Sequence, residues 1–109
     1  SEESVPPAGL EISKPDCYYG TRVLRASIDD EGFMRAAIRT RLSKGQPLWV
    51  EVYTCDSLGC EEYTTVSEKK IRVKKRGRAA FMVKVAQDQF VAVWDNDDEL
   101  LVQWTVSEN

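Results

Sequence analysis

A chain of 109 residues, 42% hydrophobic and 30% charged with a formal net charge of −3, has the size and composition of one domain built on a single core. Three cysteines, no histidine and a mean hydropathy of −0.42 argue against a membrane-embedded bundle, a disulfide-dense scaffold and a globally basic nucleic-acid-binding chain. Without histidine, Ser–His and Cys–His nucleophile pairs cannot form within the chain. No Walker or GxGxxG glycine series is present either, so the sequence reads as non-enzymatic and free of cofactors.

Residues 1–14 carry Glu2, Glu3, the Pro6–Pro7 pair and Gly9, with Leu10 and Ile12 as late apolar positions. They read as a flexible leader or an extended edge segment, disordered up to about Gly9, ahead of a domain over residues 15–109. No apolar run approaches the roughly 20 residues of a membrane-spanning helix, and no charged-then-apolar signal pattern opens the chain. It begins at Ser1 without methionine, and the expectation is a native N-terminus, with any acyl anchor, upstream of these residues.

From Tyr18, the residues Tyr19, Thr21, Val23, Leu24 and Ile28 spell a strand, and Asp29-Asp30-Glu31-Gly32 a tight loop. Residues 33–42 read most economically as a second strand, although Ala36-Ala37 and the arginines would suit a helix over 34–42. The clearest strand is LWVEVYT, in which Leu48, Val50, Val52 and Thr54 share one face opposite Trp49, Glu51 and Tyr53. A turn over residues 55–60 leads to a returning strand at Tyr63-Thr64-Thr65-Val66, and Ile71 and Val73 mark a separate short strand. Phe81, Val83 and Val85 alternate with Met82 and Lys84, and residues 90–94 form a further strand after the turn Ala86-Gln87-Asp88-Gln89. Leu48, Val50, Val52, Phe81, Val83, Val85 and Trp104 are the expected core.

The last segment supports two readings. Asn96 with Glu99 three residues on forms a helix-capping pattern, with Leu100, Leu101 and Trp104 on one helical face. Leu100, Val102, Trp104 and Val106 also alternate as a strand. The helix is preferred, because an acidic cap has no use in a strand.

Cys55 and Cys60 are spaced for a disulfide across a turn, leaving Cys17 over. An odd thiol count favours reduced cysteines and a reducing setting, with the disulfide as the alternative. Three cysteines without histidine or a CxxC do not close a zinc site. The acidic run from Asp95 has Leu100 where a calcium loop needs its glycine and Val106 where it needs its bidentate glutamate. No metal is expected.

About seven short strands followed by a tryptophan-bearing helix resemble the pleckstrin homology superfold over residues 16–109. The stretch AAFMVKVAQDQFVAVWDNDDELLVQWTV is similar to that family's final hairpin, helix cap and helix tryptophan, here Trp104. The resemblance implies a mostly β fold with one C-terminal α-helix, a seven-stranded bent antiparallel barrel plugged by the helix. Within the superfold the chain looks most like the PH-like inner membrane complex sub-compartment proteins of apicomplexan parasites. That implies a scaffold or adaptor with a protein partner, on the cytoplasmic face of a membrane and anchored by an N-terminus not in this chain. Phosphoinositide-binding members surround the first loop with cations, whereas here it carries Asp29, Asp30 and Glu31, leaving Arg25, Arg35 and Arg39 as residual headgroup candidates.

A second basic feature gathers Lys69, Lys70, Arg72, Lys74, Lys75, Arg76 and Arg78 in a net acidic chain. As a functional surface it would attract an acidic protein or anionic headgroups rather than nucleic acid. As plain structure it is a solvated strand face that discourages edge-to-edge pairing. The sequence therefore supports three readings: a membrane-associated protein adaptor, an anionic-lipid receptor, and, should the last segment be a strand, a secreted β-sandwich recognition domain with a Cys55–Cys60 disulfide.

Overall fold

The computed structural model describes residues 9–109; the leader positions expected at 1–8 lie outside them. Period-two alternation governs almost every element. Among the described residues nine strands follow one another as β1 (Leu10–Ile12), β2 (Asp16–Cys17), β3 (Arg22–Ile28), β4 (Phe33–Arg39), β5 (Pro47–Cys55), β6 (Tyr63–Arg72), β7 (Arg78–Lys84), β8 (Gln89–Trp94) and β9 (Leu100–Glu108). They make two antiparallel sheets. The larger runs β1-β9-β8-β5-β6, with β2 also on β9, and the smaller runs β3-β4-β7.

The sheets meet face to face because each strand presents its alternate apolar residues to the other layer. Met34, Ala36 and Ile38 of β4 and Ala79, Phe81 and Val83 of β7 oppose Leu48, Val50 and Val52 of β5, Val91 and Val93 of β8, and Val102, Trp104 and Val106 of β9, all in one buried cluster. Every residue expected in the core is buried. Phe81 and Trp104 join the layers directly, their rings 6.0 Å apart at 66°, an edge-to-face geometry that aromatic quadrupoles favour.

The C-terminal helix is the main correction. Residues 100–108 form β9, paired to β8 from Phe90↔Thr105 to Trp94↔Leu100, and the described residues hold no α-helix, only 3-10 turns at Leu58–Cys60 and Lys75–Gly77. Capping bonds do form, but to Asp95 and not to the expected Asn96, and they serve a hairpin. Asp95 Oδ1 accepts the backbone N–H of Asp97 and of Glu99, each at 2.9 Å. The first is the bond a helix N-cap makes to the second helical N–H, yet Asp98 takes a left-handed φ of 60°, and the Asp95 N–H donates to the Glu99 carbonyl at 3.0 Å, closing the loop into a strand. Nor does the fold close into a barrel. Edge strands β6 and β7 are linked where Lys69 Nζ donates to the Met82 carbonyl at 2.9 Å, a side-chain bond in place of a backbone ladder.

Three smaller differences follow the same physics. The two strands expected within residues 63–73 are one continuous edge strand, β6, held along β5 from Cys55↔Tyr63 to Pro47↔Arg72 around one bulge. Leu10–Ile12, within the expected leader, pairs with β9. Cys55 and Cys60 form a disulfide with Cα atoms 4.8 Å apart, correcting the reduced state preferred from the odd thiol count, while Cys17 is free and exposed.

Trp104 is 1% exposed, and its indole Nε1 finds no acceptor. Trp104→Ala should therefore cost about 3–5 kcal/mol in chemical denaturation, and Trp104→Phe distinctly less, since no hydrogen bond is lost with the indole. Asp95→Ala should cost about 1–2 kcal/mol, with Asp95→Asn recovering part of it through the amide oxygen. Replacing Cys55 and Cys60 together by alanine should lower stability by about 2 kcal/mol, the chain-entropy value for so short a loop, read as a shift in the denaturation midpoint.

Candidate functional site

The residues nominated from sequence separate into two places. Outward positions of the small sheet fall into rows across its strands. Arg22 pairs with Arg39 and Arg39 with Arg78, so three arginines stand abreast on β3, β4 and β7. The next row is Arg25, Ala37 and Ala80, and the one beyond is Ser27, Arg35 and Met82. The alanines are short, and a concavity of about 490 Å³ lies over them, lined by Leu24, Arg25, Ala37, Lys74, Arg78, Ala79 and Ala80.

This brings together Arg25, nominated as a headgroup residue, with Lys74 and Arg78 of the basic cluster. The turn that carries them is firmly built. The Lys74 N–H donates to the Arg78 carbonyl at 2.7 Å and the Thr40 N–H to the Gly77 carbonyl at 2.7 Å, while buried Thr40 adds its hydroxyl to the same carbonyl at 3.1 Å. Gly77 has a φ of +72°, and a Cβ there would overlap the Thr40 carbonyl oxygen, so glycine is required where the chain crosses between sheets. Arg39 Nε donates to the Arg76 carbonyl at 3.2 Å, tying the middle arginine of the row to the turn.

The other nominated cations are placed elsewhere. Arg35 is paired with Asp29 at 3.1 Å. Asp29 also accepts the N–H groups of Glu31 and Phe33 at 2.9 Å, and the Phe33 bond foremost, with the Arg35 guanidinium and the Glu31 N–H adding, holds its carboxyl below the usual aspartate value against some desolvation. The acidic first loop thus uses its leading carboxylate to fold itself. Arg72 donates to the Gly45 carbonyl at 2.9 Å, Lys69 reaches β7 as described, and Lys75 and Arg76 lie in the turn. Lys70 faces the opposite way, its ammonium 5.4 Å from the Trp49 ring on the outer side of the large sheet.

Sequence reasoning missed Arg22 and Lys84. Lys84 lies over the Phe33 ring at 4.7 Å, and Arg22 completes the arginine row. The signal available was alternation: both are outward positions of strands whose inward partners are apolar.

The large sheet presents a different outer face. Trp49 and Trp94 are direct cross-strand partners, as are Tyr53 and Phe90, and Glu51 stands opposite Glu68. Tyr53 stacks on Phe90 at 5.1 Å, meets Tyr63 edge-on at 5.7 Å and donates its hydroxyl to Gln103 Oε1 at 2.9 Å. Burial, with Glu51 and Tyr63 nearby, pushes the Tyr53 phenol up. Asp95, Asp97 and Glu99 bring carboxylate oxygens within 4.8 Å of one another at the adjoining hairpin, where the loop closure already described occupies Asp95 Oδ1.

Compared with known proteins, the chain matches no family model, no curated protein and no solved structure.

Proposed function

We propose that this chain is a β-sandwich recognition domain suited to an oxidising compartment, and that the outer face of its small sheet binds a polyanionic partner. The observation that carries the reading is the row Arg22, Arg39 and Arg78, continued by Arg25 and Lys74 around the alanine-floored concavity. Like charges directly opposite one another on a sheet are destabilising, and among the described residues the one ion pair is Arg35 with Asp29. An arrangement that lowers stability without an internal counter-charge is explained by an external one, and planar guanidinium groups suit sulfate, carboxylate and phosphate oxygens bidentately.

The Cys55–Cys60 disulfide supports an extracytoplasmic setting over the cytoplasmic membrane face expected from the family resemblance, since such bonds persist where thiols are not kept reduced. Two-sheet sandwiches recur in cell-surface recognition domains, an analogy that bears on architecture and not on the ligand. The general role expected from sequence, an interaction domain and not an enzyme, is kept in this reading. A sulfated polysaccharide is the polyanion of choice, because a linear chain of anions can lie along a row of cations that a compact headgroup would touch at one point only.

Retention on immobilised heparin, eluted with a salt gradient, tests the proposal. The native protein should be retained at low ionic strength and released as salt rises, with log affinity falling linearly in log salt. Arg39→Gln with Arg78→Gln should elute markedly earlier, whereas Lys14→Gln with Lys44→Gln, which removes the same charge from other surfaces, should elute close to the native protein. Loss of retention in both double variants alike would show that overall charge alone is sensed. Stronger binding to anionic vesicles than to heparin at equal salt would move the reading to a lipid surface.

A further inference from the structure

The large sheet carries on its outer face a second concavity, of about 510 Å³, lined by Trp49, Glu51, Tyr63, Thr65, Glu68, Trp94 and Asp98. We propose that it is a binding site for an organic cation, an alkylammonium group seated against the two tryptophans and flanked by the carboxylates. The site is separate from the basic face and does not depend on it.

Three observations converge on a cation. Trp49 and Trp94 are direct cross-strand neighbours, presenting two adjacent indoles whose electron-rich faces attract positive charge. Glu51 stands opposite Glu68 on neighbouring strands, an unfavourable like-charge pair that a cation between them would relieve. Glu51 is held in place rather than free to turn away: its Oε1 accepts the Trp94 indole N–H at 3.1 Å and its Oε2 accepts the Thr65 hydroxyl at 2.6 Å. The chain itself also shows the preference, since Lys70 from β6 places its ammonium over the Trp49 ring at 5.4 Å.

A neutral sugar would also stack on indoles, but it would leave the Glu51–Glu68 repulsion unrelieved. An alkylammonium ion answers both features of the site. Its methyl or methylene groups bury against the rings while its charge is distributed over a surface that carboxylates can approach. Lys70 is then an internal competitor, and its removal has a direction that a merely structural role would not produce.

Titration of the native chain with choline at constant ionic strength, followed by tryptophan fluorescence, tests the assignment. Trp104 is buried in the core, so a ligand-dependent change reports on Trp49 and Trp94. Saturable binding is expected, with the neutral carbon isostere dimethylbutanol at least about tenfold weaker, a difference of about 1.4 kcal/mol. Glu68→Gln and Asp98→Asn, both exposed positions, should weaken choline binding several-fold without lowering the unfolding midpoint, which Glu68→Gln should raise slightly by removing the like-charge pair, and Lys70→Ala should strengthen it. A trimethyllysine peptide run beside choline distinguishes a peptide-borne ammonium from a free small molecule by which binds more tightly. Equal affinity for choline and dimethylbutanol, indifference to Glu68→Gln, or tighter binding of a neutral oligosaccharide than of choline would each overturn the assignment.

Discussion

The contact between the two sheets is the constraint from which the rest of this molecule follows. A strand has one side chain inward for each one outward, so fixing Met34, Ile38, Phe81 and Val83 against Val50, Val91, Val102 and Trp104 also fixes which residues are displayed. The Phe81–Trp104 contact sits where that commitment is greatest. A one-residue slip of β4 or β7 would carry arginines into the core, so the register that stacks the apolar residues is the same register that sets Arg22, Arg39 and Arg78 abreast.

Alternation made β5, the core list and the strand character of β4, β7 and β8 legible in the sequence, because period two is written directly in residue order. The C-terminal segment was harder for a physical reason. Asp95 satisfies backbone N–H groups with a side-chain oxygen, and its bond to the residue two positions on starts a helix or closes a hairpin equally well. What decided between them was the left-handed Asp98 and the open edge of β8 waiting to be paired, neither of which composition reveals. The same holds for Cys55 and Cys60: their spacing permitted a bridge, but the antiparallel β5–β6 hairpin that brings Cys55 beside Tyr63 is a tertiary fact.

The candidate sites illustrate how far contiguity in sequence can diverge from contiguity in space. Lys69, Lys70 and Arg72 are neighbours in the chain, yet they bond to the Met82 carbonyl, cover Trp49 and reach the Gly45 carbonyl respectively. Strand alternation sends adjacent side chains to opposite faces, so a run of cations on a strand is divided by the fold. Arg22, Arg39 and Arg78 are far apart in sequence and become a single row only through the β3–β4 and β4–β7 registers. A composition count therefore overstates the basic cluster on β6 and overlooks the basic face of the small sheet.

The net charge of −3 conceals this division, and electrostatic screening in the solvent separates the fields of the two faces. Packed sheets lie about 10 Å apart, and outward side chains on both sides add to that separation, so through the surrounding electrolyte the two faces lie beyond the Debye length of about 8 Å at physiological ionic strength. An approaching ligand thus responds to the face it meets and not to the sum over the chain. The arginine row meets an anion with little opposition from Glu51 and Glu68 behind it, and those carboxylates meet a cation with little opposition from the arginines. Both faces keep like charges side by side against the interest of stability, and a thin sandwich with a dry apolar interior is the architecture that holds two such faces apart.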